Sequence, residues 1–360
     1  MKVSSLTLVN YRNYEKLKVE FSDKVNVFIG KNAQGKTNLL ESIFYCCIGK
    51  SFKSIKDKDI IRWGAEEGYI SLNLEKKYRE VKIEVKFSKI KKKTILINSL
   101  PIKKIGDLIG EINVVFFSPS ELKLVRESPE ERRKFMDIDI SQTNKRYFYL
   151  LSRYEKILQN RNKLLKTAES LSYVKETVDI WDRVLVQTAH KIASEREKFI
   201  LSIAPYTAMA QNYLSGGKEE VKLKYVCGCG VNLDEKFEEN MSKLLRKNLE
   251  KDFKLGYTSI GVHRDDLDIF LNGVEVKSFG SQGQQRTVAL SLKLAELESM
   301  FAKTGEYPIL LLDDVFSELD SERQERLLKF ATRTQTFITC TDEKKISGKI
   351  FKIENGKIVN

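Results

Sequence analysis

The stretch VNVFIGKNAQGKTNLLESIFYCCI, residues 25–48, decides the fold of this 360-residue chain. Its middle, from Gly30 to Thr37, matches the pattern GxxxxGK(S/T). The apolar run before this pattern is typical of a buried strand, and the run after it is typical of a helix. A glycine-rich turn that leads into a helix N-terminus directs backbone N–H groups and the helix dipole at phosphate oxygens. The stretch therefore predicts a nucleotide-binding phosphate loop rather than an ordinary Gly-rich turn.

Individual side chains of this loop have predicted roles. Lys36 is expected to reach the β- and γ-phosphates of the nucleotide and to take part in catalysis, and Thr37 is expected to hold Mg²⁺. ATP and Mg²⁺ are thus the expected ligands. The loop residues predicted to bind them are Gly30, Lys31, Asn32, Gly35, Lys36, Thr37 and Asn38.

An acidic strand end far along the chain complements the loop. The apolar run 309–312 is typical of a buried parallel strand, and Asp313 and Asp314 follow it. Open α/β sheets bind ligands at the carboxyl ends of their strands. Asp313 is therefore predicted to complete the Mg²⁺ shell, and Asp314 to orient or deprotonate the attacking water. The alternative is a turn that carries two solvated carboxylates.

A second exposed helix N-terminus is predicted at Ser281, which lies 32 residues before Asp313. One subunit needs only one such anion-binding terminus for its own nucleotide. The second becomes useful when two subunits meet head to tail, because each can then cap the γ-phosphate bound by the other. The order of these motifs is typical of ABC-type ATPases, with residues 317–320 in the place of the D-loop. The sequence thus predicts a homodimer that forms around ATP. The further nucleotide-binding residues predicted from these segments are Ser281, Gly283, Gln284 and Asp320.

Composition narrows the class of partner. The formal net charge is +13. Such an excess of positive charge favours binding to a polyanion, either nucleic acid or an acidic membrane surface. No segment approaches 18 uncharged apolar residues, so we expect no membrane span and no membrane partner. The five cysteines follow no disulfide spacing, which is typical of a reducing cytosol, and we therefore expect a cytoplasmic protein.

The basic charge is concentrated in one region. Residues 76–104 contain eleven Lys and Arg against two Glu. Three consecutive lysines lie between the strand-like runs 80–87 and 94–97, which places them at a hairpin tip that can reach a phosphate backbone. No base-reading helix is apparent, so we expect recognition of double-stranded or gapped DNA without sequence specificity. The predicted DNA contacts are Lys53, Lys91, Lys92 and Lys93.

The distribution of patterns along the chain predicts the domain organisation. Residues 1–118 are β-rich, and Ser128, Pro129 and Glu131 predict a capping box that begins a helical region extending to about residue 250. We predict an α/β fold: an ABC-type P-loop ATPase head with mixed sheets, built from residues 1–118 and 255–360. A helical domain over 119–254 is inserted into it and contains a short antiparallel helical arm.

Several strings outside the phosphate loop resemble the RecF family of bacterial recombination-repair proteins and its SMC-like relatives. The matches extend from residue 6 to about residue 342, nearly the whole chain. The strings are LVNYRNY at 8–14, FSP at 117–119, PEERRKFMD at 129–137, GVHRDD at 261–266 and DDVFSELD at 313–320.

The resemblance implies a role in DNA repair, replication and the SOS response. It implies an ATP-dependent dimer that binds DNA, a weak DNA-stimulated ATPase activity, and help in loading the recombinase together with RecO and RecR. It also implies that Arg12 touches the nucleotide phosphates and that Ser281 contacts the γ-phosphate held by the partner subunit.

The chain departs from the ABC pattern at three places. No Gln follows the strand-like run 112–117, so Ser118 or Glu121 is expected to stand near Mg²⁺. No His follows the strand-like run 336–339, so Thr339 or Thr341 is expected at the switch position. Asp314 replaces the usual catalytic Glu and is one methylene shorter, which is consistent with slow hydrolysis.

Other interpretations remain open from sequence. An energy-coupling subunit of a membrane transporter and an adaptor with a vestigial nucleotide site are the alternative functions. Residues 263–266 form either a DNA- or interface-facing loop or a buried polar cluster in which Arg264 pairs with an Asp. Cys227 and Cys229 are expected to be two free thiols in a turn, because no second ligand pair for a metal is evident.

Overall fold

The computed structural model describes residues 1–53, 55–341 and 346–359, with Glu318 described by its backbone alone. The strands are β1 (Lys2–Tyr11), β2 (Tyr14–Glu20), β3 (Val25–Ile29), β4 (Glu67–Glu75), β5 (Glu80–Ser88), β6 (Thr94–Ile97), β7 (Leu100–Pro101), β8 (Val114–Phe117), β9 (Val221–Val226), β10 (Asp266–Leu271), β11 (Val274–Glu275), β12 (Ile309–Asp313), β13 (Thr336–Cys340), β14 (Lys349–Glu354) and β15 (Lys357–Val359). The helices are α1 (Lys36–Ile48), α2 (Lys123–Arg126), α3 (Pro129–Thr143), α4 (Lys145–Thr167), α5 (Leu171–Thr177), α6 (Asp179–Ser215), α7 (Phe237–Leu255), α8 (Val276–Phe279), α9 (Gln282–Thr304) and α10 (Ser321–Ala331). Short 3₁₀ turns lie at Asp57–Ile60, Ile105–Asp107, Pro119–Leu122, Val262–Arg264 and Val315–Glu318.

The chain forms two compact units. The first unit consists of Met1–Leu122, Met209–Glu219 and Arg286–Asn360, and the second of Lys123–Ala208 and Glu220–Gln285. These units differ from the predicted domains chiefly at 255–285, a segment that the sequence prediction places in the ATPase head. The physical reason is the antiparallel pairing of β10 with β9, a strand that lies inside the region predicted to be helical.

The parallel sheet of the first unit has the strand order β15-β14-β3-β13-β12-β8. Its neighbouring strands from β14 to β8 are parallel, and only the edge strand β15 is antiparallel. Every residue of β3, β12 and β13 is buried, as expected for strands covered on both faces. The three predicted strands around residues 25, 309 and 336 are thereby confirmed, and their carboxyl ends meet at one edge.

The antiparallel sheet of the first unit has the strand order β2-β1-β4-β5-β6-β7. Helix α1 contacts strands of both sheets of this unit, so the helix after the phosphate loop lies in the core. The predicted basic hairpin is confirmed, because β5 and β6 pair antiparallel around the turn that contains the three lysines. None of the helices in the described part of the chain combines the length and apolar character needed to span a bilayer.

The second unit contains the predicted antiparallel pair of helices, α4 and the part of α6 up to Ala208. Arg161 of α4 binds Asp182 of α6 with an Nε–Oδ1 distance of 2.6 Å, and Tyr147 near the start of α4 contacts Arg196 much later in α6. Helix α3 begins after Ser128 with Pro at its first position, as predicted, but the Ser128 side chain makes no capping hydrogen bond. The predicted capping box is therefore wrong.

A buried arginine, Arg196, holds together part of the second unit. Arg196 donates to Asp265 Oδ2 at 2.6 Å and to both oxygens of Asp137 at 2.9 and 3.1 Å, and the Asp265 side chain is fully buried. Residues 263–266 thus include a buried polar cluster, the second of our two interpretations. Arg264 is not the partner we expected, because its guanidinium lies over the Tyr257 ring. His263 is partly buried, and this desolvation lowers its pKa to about 4.

Candidate nucleotide-binding site

The phosphate loop connects β3 to α1 in a conformation that its glycines permit. Gly35 has a φ of +113°, and a Cβ at this position would lie 2.5 Å from the Asn13 side-chain nitrogen. Asn13 in turn donates to the Gln34 carbonyl at 2.8 Å, and the Tyr14 hydroxyl donates to the Gly35 carbonyl at 3.0 Å. The loop is thus fixed by the turn between β1 and β2, which we did not single out for this purpose.

Lys36 is directed back across the loop. Its ammonium group donates to the carbonyls of Gly30 and Lys31 at 2.5 and 2.9 Å, so its charge lies inside the loop. Burial lowers the pKa of Lys36, while the nearby charges of Asp314 and Asp313 act in the opposite direction. A phosphate bound in the loop would meet this cation, and phosphate binding stays the predicted role of Lys36.

The predicted Mg²⁺ ligands lie next to each other although they are 276 residues apart in the sequence. The Thr37 hydroxyl donates to Asp313 Oδ1 at 2.8 Å, and the Thr339 hydroxyl donates to the same oxygen at 2.7 Å. Burial raises the pKa of Asp313 above its ordinary value. A hydroxyl and a carboxylate are oxygen ligands of the kind that Mg²⁺ prefers, and a cation here would offset the cost of burying Asp313.

Asp314 follows Asp313 at the carboxyl end of β12. Its backbone is left-handed, with a φ of 51°, and its N–H donates to the Thr339 hydroxyl at 2.9 Å. Thr339, one of the two candidates for the switch position, is thus a fully buried bridge between the two aspartates. Thr341, the other candidate, is exposed and lines a cavity of about 460 Å³ beside Gly30 and Lys31.

Arg12 is held by a buried carboxylate of α1. Its Nε and Nη2 atoms donate to Glu41 at 2.9 and 2.6 Å, and Ser51 and Lys53 lie on the same carboxylate. Burial favours a higher pKa for Glu41, but the hydrogen bonds from Arg12 and Ser51 outweigh it and lower this pKa. Glu41 is therefore an anion that fixes the direction of the Arg12 side chain, a role that sequence reasoning missed.

A cavity of about 620 Å³ opens beside Arg12 and α1. Its wall includes Asn38, whose amide donates to Asn13, and Lys53, whose ammonium donates to Asn38 at 2.9 Å. Trp63 also lines this cavity and is 97% exposed. We missed Trp63 from sequence; a tryptophan between Arg62 and Gly64, outside any apolar periodicity, was the available signal.

The second helix terminus forms in the second unit as predicted. The Gln284 N–H donates to the Ser281 hydroxyl at 3.2 Å, and the Ser281 N–H donates to the Gln284 side chain at 2.9 Å. This reciprocal capping box begins α9 and leaves Ser281 and Gly283 exposed at the surface of the unit. The geometry therefore presents a helix N-terminus to solvent.

The remaining predicted residues have contacts within the first unit. Asp320 caps α10 by accepting from the Arg323 N–H at 2.8 Å. Glu121 pairs with Lys293 at 3.3 Å, and the Ser118 hydroxyl lies 2.6 Å from that of Ser120. Lys31 and Asn32 of the phosphate loop are exposed.

The four predicted DNA contacts differ in their surroundings. Lys91 and Lys92 are exposed in the turn between β5 and β6. Lys93 is directed into the fold, where its ammonium donates to Tyr45 and to the Gly49 carbonyl at 2.7 Å each and pairs with Asp57 at 3.0 Å. Lys53 lies against α1. The structure thus brings Lys53 to the candidate nucleotide site. Among the residues that the structure describes, the side chains of Lys91 and Lys92 have no such contacts.

Comparisons with known proteins show which family the chain resembles. Residues 2–353 match the family model described as RecF/RecN/SMC N terminal domain. The chain is 44% identical over 367 residues to the DNA replication and repair protein RecF of Clostridium beijerinckii, with 100% of this chain and 99% of that protein covered. It is 42% identical over 364 residues to the RecF of Clostridium acetobutylicum, with 99% of each covered.

Solved structures extend the comparison to three dimensions. The recombination mediator RecF bound to ATP, of the RecFOR pathway, matches with a TM-score of 0.92 and 35% identity, covering 99% of this chain and 97% of that one. An SMC head bound to the C-terminal winged-helix domain of ScpA matches with a TM-score of 0.59 at 15% identity, covering 100% and 97%. The second match supports the fold alone.

Proposed function

The chain belongs to the RecF family of DNA replication and repair proteins, and on this premise we propose that it is an ATP-dependent DNA-binding protein of recombinational repair. Two subunits close around ATP and hold double-stranded or gapped DNA. Slow ATP hydrolysis releases the DNA, and the cycle helps to load the recombinase with RecO and RecR as partners. The solved relative bound to ATP supports the choice of nucleotide.

The observation that carries the proposal is the hydrogen bond between Thr37 and Asp313 at 2.8 Å. It joins the phosphate loop to the acidic strand end, the two motifs from which we predicted a nucleotide site. Mg²⁺ bound there would neutralise charge on the β- and γ-phosphate oxygens during phosphoryl transfer. Lys36 would hold the same phosphates from within the loop, and the open surface pocket lined by Arg12 and Trp63 is proposed to receive the nucleoside.

Asp314 is the proposed general base. It follows the metal ligand Asp313 directly, and the bond from its N–H to Thr339 fixes the backbone from which its side chain projects. A carboxylate here orients a water molecule and accepts its proton as the water attacks the γ-phosphate. The exposed Ser281 and Gly283 are proposed to complete the site of the partner subunit, with Asp320 in the adjoining D-loop.

Binding of a labelled duplex DNA at fixed salt tests the proposal when ATP, ADP and no nucleotide are compared. We expect the tightest binding with ATP, because only the triphosphate can join the two subunits. Equal binding under all three conditions would contradict the coupling between nucleotide and DNA. Absence of DNA binding under every condition would instead favour a protein partner, as for a transporter subunit.

Charge removal at the hairpin tip tests where DNA binds. Changing Lys91 and Lys92 together to Ala is expected to weaken duplex binding and to reduce the slope of log K against log salt by roughly 0.9 per lysine. The turn itself should persist, because the Lys91 N–H rather than its side chain contacts Ser88. The measurement is a salt titration of ATP-dependent binding.

A matched control removes the same charge elsewhere. Lys247 and Lys251 are exposed on α7, and changing both to Ala should leave the salt slope as in the wild type. Equal slopes for the two double variants would place the DNA-binding surface away from the hairpin. Lys93 is left unchanged in both because its contacts with Asp57 and Tyr45 stabilise the fold.

A further inference from the structure

A cluster of metal-binding side chains lies in the second unit and belongs to no part of the proposed nucleotide site. The thiols of Cys227 and Cys229 and a carboxylate oxygen of Asp265 all lie within 4.8 Å of one another. From sequence we expected two free thiols in a turn, since we found no further ligand nearby. The fold supplies a third ligand. Asp265 immediately precedes β10, and the pairing of β10 with β9 brings this carboxylate next to the two thiols that follow β9.

The loop that carries the two thiols is fixed by its backbone. The Gly228 N–H donates to Asp265 Oδ1 at 2.7 Å, and the Gly228 carbonyl accepts from the Gly261 N–H at 3.0 Å. A Cβ on Gly228 would lie 2.3 Å from the carbonyl carbon of Arg264, so only glycine allows this close approach. The positions of the thiols relative to the carboxylate are therefore set before any ligand arrives.

The carboxylate has capacity for one more partner. Asp265 Oδ2 accepts hydrogen bonds from Arg196 at 2.6 Å and from the Tyr225 hydroxyl. These two bonds occupy both lone pairs of Oδ2. Among the described residues, Oδ1 accepts only the Gly228 N–H. Its second lone pair is available on the oxygen that the backbone of the thiol loop already contacts.

We propose that Cys227, Cys229 and Asp265 bind one thiophilic divalent cation of the Zn²⁺ class. Two thiolates and a carboxylate are ligands that Zn²⁺ takes, and they differ from the all-oxygen set that Mg²⁺ prefers. Binding replaces two thiol protons with a doubly charged ion, so the charge balance with Arg196 is unchanged. Cys229 is buried and Cys227 is partly exposed, which leaves a path for the ion and a position for a water ligand.

The cation has a structural role. It adds a bridge between the loop after β9 and the residue before β10, beside the ladder in which Val226 pairs with Asp266. The proposal does not rest on the proposed function, because the nucleotide residues Lys36, Thr37 and Asp313 belong to the first unit.

Titration of the full-length chain with Cd²⁺ tests the site. The titration is done without nucleotide, with a non-thiol reductant and with Mg²⁺ in excess, and the readout is the near-ultraviolet charge-transfer absorbance of thiolate–Cd²⁺ bonds. We expect saturation at one equivalent in the wild type. Cys227→Ser and Cys229→Ser are expected to bind at least about tenfold more weakly.

Cys47→Ser is the matched control, because its hydroxyl can keep the bond that the Cys47 thiol makes to the Ile43 carbonyl at 3.2 Å. It should bind Cd²⁺ as the wild type does. Wild-type protein that shows no saturable absorbance, or Cys227 and Cys229 variants that bind like Cys47→Ser, would overturn the proposal.

A second measurement needs no variant. Alkylation of Cys227 by iodoacetamide, followed by peptide mass analysis, should be slowed at least about tenfold by one equivalent of Zn²⁺. An unchanged rate of alkylation with Zn²⁺ present would overturn the proposal even if the serine variants failed to fold.

Discussion

An Asp314→Asn variant is expected to hydrolyse ATP at least about 100-fold more slowly than the wild type while still binding DNA in the presence of ATP. The amide cannot accept a proton from the attacking water, yet it has nearly the same size as the carboxylate. The backbone bond from residue 314 to Thr339 does not involve the side chain, so the strand end should keep its geometry. The measurement is phosphate release at saturating ATP with and without duplex DNA.

Lys36→Ala provides the contrasting control. This change removes the cation that lies inside the phosphate loop, so we expect it to abolish both hydrolysis and the ATP dependence of DNA binding. The two variants thus separate chemistry from nucleotide binding. Unchanged hydrolysis in Asp314→Asn would assign the base to another residue, and unchanged DNA binding in Lys36→Ala would favour an adaptor with a vestigial site.

Arg196→Met is expected to destabilise the second unit by about 3–5 kcal/mol. Arg196 is almost completely buried, and its guanidinium binds Asp137, Asp265 and the Val262 carbonyl. Methionine fills part of the volume but leaves two carboxylates without their cation. The free energy of unfolding, measured by urea titration with circular dichroism, checks this expectation.

Arg246→Met is the control within the same unit. Arg246 lies 3.7 Å from Asp179 in an exposed pair, and exposed pairs contribute about 0–1 kcal/mol. We therefore expect its unfolding free energy to stay close to that of the wild type. Equal stabilities for the two variants would mean that the Arg196 cluster does not hold the second unit together.

The parts of the fold that follow from local sequence could be predicted well. The phosphate loop, the strand before it and the helix after it have strong local signals, because glycine spacing and apolar runs act over a few residues. The contact between Thr37 and Asp313 could be predicted as well. The phosphate loop and Asp313 lie at the carboxyl ends of parallel strands, and such ends meet at the same edge of a sheet.

The parts that depend on distant pairing could not be predicted. β9 carries alternating lysines within a helical region, and only its pairing with β10 makes it a strand. The partners of Asp265 and the inward direction of Lys93 are set by side chains far away in sequence, such as Arg196 and Asp57. Sequence shows which charges are present, whereas burial and geometry decide which of them meet.

The position of β3 in the parallel sheet also affects how the chain is made on the ribosome. β3 lies between β13 and β14, and Val3 in β1 exchanges hydrogen bonds with the Gln335 side chain at 2.6 and 2.8 Å. During synthesis from the N-terminus, β3 is made long before its neighbours β13 and β14, which emerge after residue 335. The nascent chain therefore exposes an unpaired apolar strand through most of translation, when chaperone protection matters most.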